Sequence, residues 1–106
     1  MTAPPDPIQA AADEAISSWP GVHLRQVFGH RGYVRGRKMF AFIASDGLAF
    51  KTAAEIAESL YASGAATPFV YGSSMEMRGW PVLPLRDDTS LTRALSASRE
   101  AYEAVG

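Results

Sequence analysis

The chain contains no cysteine. That excludes disulfide frameworks, thiolate nucleophiles and cysteine-based zinc sites, and it suits a reducing compartment. It also has no apolar run near the roughly 18 residues that mark a membrane helix. Its first residues, Met1-Thr2-Ala3-Pro4-Pro5-Asp6-Pro7, show neither the basic nor the apolar segment of a secretory signal. A cytoplasmic protein with no membrane partner is expected. Histidine is scarce: His23 and His30 are the only two, and neither sits in an HxxxH or HExxH setting. Gly-x-Ser-x-Gly is missing as well, and Gly29, Gly32 and Gly36 do not match GxGxxG. The expectation is therefore a non-enzyme with no catalytic residue, no cofactor and no metal. An excess of one charge is lacking too, since the formal net charge is -1, so overall charge names no partner.

What is present is enough for one domain, residues 1–106. With 47% hydrophobic residues over 106 positions, the chain can bury roughly 65% of its unfolded surface without a staple. Charge is uneven along it. Residues 20–52 carry Arg25, Arg31, Arg35, Arg37, Lys38 and Lys51 against Asp46 alone, whereas the flanking segments are acidic. A basic hairpin region thus lies between two acidic helical regions.

Punctuation gives the element order. Asp6 suits an N-cap, Pro7 a first helical position and Gln9 the reciprocal place of a capping box; Ile8, Ala12, Ala15, Ile16 and Trp19 then mark one helical face before Pro20-Gly21. This helical lead-in spans 6–19. Residues 22–28 read as a strand, with Val22, Leu24 and Phe28 on one side and His23, Arg25 and Val27 on the other. Gly29 and Gly32 bracket a turn, Tyr33-Val34 resume extended chain, and Arg35-Gly36 returns into Lys38 to Ala44. On that strand Met39, Ala41 and Ile43 should share one face and Phe40, Phe42 and Ala44 the other. Asp46-Gly47 signals a hairpin into Leu48 to Lys51. Thr52-Ala53-Ala54-Glu55 reads as a capping box for a helix burying Ile56, Ala57, Leu60 and Tyr61, which Gly64 closes. Two strands follow, near Pro68 to Tyr71 and Glu76 to Leu85; Pro81 and Pro84 require the second to be an edge or to carry a bulge. Asp87-Asp88-Thr89-Ser90 caps a last helix with Leu91, Leu95, Ser98, Tyr102 and Val105 on one face. The order, one helix, three or four strands, a helix, two strands and a helix, predicts a two-layer α+β domain: an antiparallel sheet of about five strands with helices on one face.

Several motifs in this order resemble the N-terminal domain of the TfoX/Sxy family: Phe28-Gly29 in the first turn, Gly32-Tyr33, Gly36, and the strand Lys38-Met39-Phe40-Ala41. Leu48 to Lys51, Pro68-Phe69, Met77 with Trp80, and the closing Ala101-Tyr102-Glu103-Ala104 continue the likeness over roughly residues 22–105. The MmcQ/YjbR-like proteins are near neighbours, sharing a similar central strand and a late Gly-Trp, here Gly79-Trp80. The resemblance implies a five-stranded antiparallel sheet with helices on one side, similar to the secretion-chaperone architecture. It also implies a regulatory role. Family members that regulate natural competence carry a second, C-terminal helical domain, which is not expected in this chain.

Two surfaces emerge as candidates. Arg25, Arg31, Tyr33, Arg35, Arg37 and Lys38 form a basic hairpin with an aromatic beside it, a combination that suits phosphates and a stacked base. The plainer reading is a solvated turn whose charges keep a strand edge from aggregating. Phe69, Tyr71, Met75, Met77 and Trp80 surround an edge that suits a protein partner or a second copy, because methionine and aromatic side chains dominate adaptable interfaces. Their plainer reading is core. The favoured expectation is a small non-enzymatic binding or regulatory module that works through a protein partner or as a homodimer. A nucleic-acid-binding protein using residues 30–38 is the alternative, and a small enzyme of unknown type comes third.

Overall fold

The computed structural model describes residues 6–27, 29–45 and 47–106. Its elements run α1 (Pro7–Ser17), β1 (Val22–Val27), β2 (His30–Arg35), β3 (Lys38–Ala44), β4 (Gly47–Phe50), α2 (Ala54–Ser63), β5 (Thr67–Tyr71), β6 (Met75–Pro84) and α3 (Asp88–Ala104). All the strands join one antiparallel sheet in the order β1-β2-β3-β4-β6-β5. This is the expected α+β architecture, with six strands rather than about five, because β1 pairs with β2 from Val22↔Arg35 to Val27↔His30. Gly32 accordingly lies inside β2 rather than at a turn; a Cβ there would press on the Arg25 carbonyl and the Met39 sulfur, both 3.0 Å away. Phe28 and Asp46, the turn residues named from the sequence, lie outside the described residues.

Helix ends follow their capping chemistry, with two departures. Asp6 accepts from the amides of Ile8 and Gln9 as an N-cap should, but Gln9 does not close a box. Its amide instead donates to the Ser45 carbonyl at 3.3 Å, tying α1 to the β3–β4 turn. The second departure is α2, which begins at Ala54 with Ala53 as a cap that makes no side-chain bond, not with a Thr52 capping box. The Thr52 amide donates to the Gly79 carbonyl at 3.4 Å, which keeps Thr52 in extended chain. In α3, Asp87 and Ser90 form the full reciprocal box.

The sheet separates two cores. On its helix side, Ala12 and Ile16 of α1 and Ala94, Ala101 and Tyr102 of α3 pack on Tyr33, Phe40, Leu48 and Leu83, with Leu60 and Tyr61 of α2 at the periphery. On the other side Phe42, Ala44, Ala49, Phe69 and Val82 form a smaller cluster with Val27, Met39, Met77 and Trp80. The division of β3 differs from simple alternation. Val34 opposes Met39 while Tyr33 opposes Ala41, leaving Phe40 as an extra residue. This bulge turns Phe40 and Ala41 both toward the helices, where Phe40 stacks on Trp19 at 6.2 Å and meets Tyr102 edge-on at 5.5 Å.

The helix-free side buries its cluster because the sheet curls. Phe42 on β3 and Phe69 on β5 are three strand spacings apart, about 14 Å in a flat sheet. Their ring centroids lie 4.8 Å apart. His30 on β2, one strand farther away, sits 5.8 Å from Phe69 and 6.1 Å from Phe42. The side without helices is therefore concave and closes over its own aromatic residues.

β6 is interior, between β4 and β5, so of the two options its prolines allow, it takes the bulge. Phe69 opposes Met77 but Pro68 opposes Pro81, which leaves Arg78, Gly79 and Trp80 without partners on β5. Neither member of the proline pair has an amide hydrogen to offer the ladder. The bulge is held from α2: Tyr61 donates its hydroxyl proton to the Arg78 carbonyl at 2.8 Å, and the Arg78 guanidinium pairs with Glu58 and Glu76, each at 2.7 Å, over the Tyr61 ring.

Candidate functional site

Strand register gathers the apolar set onto one side of the sheet. Phe69 pairs with Met77 and Tyr71 with Met75, and these alternate positions project toward the concave face. Phe69 is buried, Met77 and Trp80 are half-buried, and Tyr71 and Met75 are 48% and 63% exposed. The strip thus grades from the aromatic cluster outward to solvent along the β5–β6 hairpin. Val70, 45% exposed, lies on the opposite face of the same strand. β5 closes the sheet, and residues 67–75 carry no charge.

The basic set is divided by the fold. Tyr33 is wholly buried and donates its hydroxyl proton to Asp13 of α1 at 2.6 Å, so its ring is not available to a base. Arg31 pairs through Nε with the same carboxylate at 2.6 Å. Arg35 lies over the Tyr102 ring at 4.0 Å and donates to the Tyr102 carbonyl at 2.9 Å, giving the end of α3 the cation its own last turn lacks. Arg25, Arg37 and Lys38 remain exposed. Arg25 is on the concave side with Val27, and Lys38, opposite Arg35, is on the helix side. Several other titratable groups are likewise spent on structure. Hydrogen bonds from Ser90 hold the Asp87 carboxyl below the usual carboxylate range, and Arg78 does the same for Glu58. His30 packs among aromatic rings, and no cluster of three metal-ligating side chains occurs among the described residues.

Residues 14–105 match the family model of the TfoX N-terminal domain. The chain belongs to that family. The match reaches back into α1, farther than the motif likeness from residue 22, and it takes in every strand and the two later helices. No curated protein matches the chain. Among the described residues no helix is long and apolar enough to cross a membrane.

This TfoX N-terminal domain has one further feature that the sequence reading missed. Between α2 and α3, over a floor of Phe50 and Leu83, runs a groove of about 920 Å³. Ile56, expected in the buried stripe of α2, is 53% exposed on its wall. The facing wall is built from small α3 residues, Ala97, Ala101 and Ala104, which leave the space open. An alanine-lined helix face opposite an isoleucine was the available signal. It looks the same in sequence as a tightly packed helix pair.

Proposed function

We propose that this TfoX N-terminal domain is a non-enzymatic regulatory module of the cytoplasm that acts by binding protein, and that its first partner is a second copy of itself, met through the β5 edge. The observation that carries this reading is the graded apolar strip on the β5–β6 hairpin, with Met75 63% and Tyr71 48% exposed at the last strand of the sheet. Charge favours a second copy there. β5 and its turn are neutral, so two copies approach without repulsion, whereas the other sheet edge, β1, carries Arg25 and would bring like charges together. Sedimentation or light scattering over a dilution series should show dimer at micromolar concentration. Met75→Glu should give monomer and Trp80→Ala should weaken the dimer, while Arg37→Glu leaves it intact. A wild type that stays monomeric throughout sinks the reading.

The nucleic-acid alternative has fewer charges than the sequence promised. With Arg31 paired to Asp13 and Arg35 bound to the Tyr102 carbonyl, Arg25, Arg37 and Lys38 are the exposed cations of the set without such a partner among the described residues. Three phosphate contacts at a slope near -0.9 each imply an affinity loss of about forty-fold between 50 and 200 mM salt. Fluorescence anisotropy with labelled duplex and single-stranded DNA should therefore show weak binding that vanishes with salt. Micromolar affinity at the higher salt, lost in an Arg25/Arg37/Lys38→Glu variant, would make DNA the partner instead.

A further inference from the structure

The α2–α3 groove lies on the opposite side of the sheet from the β5 strip, and nothing in the module reading uses it. Along α3 it extends from Thr89 to Ala104, about 22 Å at the helical rise. Its volume falls within the range of small-molecule clefts, about 300–1,000 Å³. A helix roughly 10 Å across laid along the same length would occupy about twice that space. A single hydrocarbon chain suits the width, and Phe50, Leu83, Leu60 and Ile56 offer it an apolar bed.

One wall carries a charge with no structural task. Arg93 is exposed, and among the described residues it has no ion-pair partner; the pairs involve Arg31, Arg78 and Arg99. Thr89 and Ser96 lie one turn to either side of it on the groove wall and add hydroxyl donors. A guanidinium stays charged at any working pH and grips a carboxylate with two parallel hydrogen bonds. Glu100, two turns farther along α3, would repel an anion at that end and so sets the direction of the ligand.

We infer that the groove binds a fatty carboxylate, its head on Arg93 and its chain along the Phe50–Leu83 floor. The test is a titration of the full chain with dodecanoate, below its micelle concentration, followed by amide NMR shifts. Saturable shifts confined to β4, α2 and α3 are expected. Decanoate, two methylenes shorter, should bind up to about fifteen-fold more weakly. Dodecyltrimethylammonium, with the same chain and the opposite charge, should bind at least about ten-fold more weakly, and Arg93→Gln should erase that preference. Ala97→Phe, which fills the groove, should abolish binding of both. Arg93 is exposed, so its variant keeps the test standing if Ala97→Phe does not fold. Equal affinity for the cationic amphiphile, shifts centred on Met75 and Trp80, or no saturable shift at all would overturn the assignment.

Discussion

Tyr33 shows how far a residue's role can depart from its neighbours in sequence. Flanked by Arg31 and Arg35, it reads as a surface aromatic, yet α1 lies across it and Asp13, twenty positions away, takes its hydroxyl proton. Burial first, then the hydrogen bond and charge of Asp13, push its pKa well above the ordinary tyrosine range. The sign of the linkage follows. The unfolded chain loses this proton near pH 10 and the folded chain keeps it, so stability is complete below that pH and falls above it. One such group contributes a slope of about 1.4 kcal/mol per pH unit. Tyr33→Phe should therefore cost about 1.5–3 kcal/mol at neutral pH, through loss of a hydrogen bond to a charged acceptor. It should also decline less steeply in alkali. Urea unfolding of both proteins from neutral pH to beyond pH 10 checks this, and an unchanged alkaline slope would refute it. Burial also raises the Tyr61 hydroxyl, so part of the slope should survive in the variant.

Among the elements, strand type and order were legible because turn chemistry and apolar runs are local. Bulges were not. Phe40 changes sides because Tyr33 pairs with Ala41, and Arg78 to Trp80 are looped out because Pro68 meets Pro81; each is decided by a partner strand that the local pattern does not contain. Gly47 is a mixed case. Asp46-Gly47 announced a hairpin, and the chain does reverse there, with Ala44 opposite Gly47. Gly47 itself is the first residue of β4, and what requires glycine is the Leu83 carbonyl and the Val82 Cγ1 of β6, pressed onto the space a Cβ would fill. Gly47→Ala should destabilise by about 1–3 kcal/mol, as overpacking does. Gly79, in the β6 bulge, has nothing within 4 Å of a built Cβ. Gly79→Ala should be neutral or slightly stabilising, since alanine restricts the unfolded chain. Denaturant midpoints of the two variants decide the matter, and similar losses in both would show that the close approach is not the cause.

At the scale of the whole molecule, the candidate surfaces were legible as compositions but not as places. Of the five apolar residues named at that edge, Phe69, Tyr71, Met75 and Met77 share a side because the period of a strand delivers alternate residues to one face, while Trp80, three positions after Met77, joins them through the β6 bulge. The six basic-hairpin residues do not stay together, because the same period sends them to both faces and α1 and α3 claim three of them. The groove escaped notice because it is an unfilled space between helices, and sequence patterns mark filled contacts. The two cores have a practical consequence for optical measurement. The chain has two tryptophans; Trp19 belongs to the helix-side core and Trp80 to the concave one. Trp19→Phe and Trp80→Phe variants would each leave a single fluorophore reporting from one side of the sheet. If both cores melt as one cooperative unit, their emission should change at the same denaturant midpoint. Dilution that separates two copies at β5 should alter the Trp80 emission and leave Trp19 silent, so colour alone would tell dissociation from unfolding.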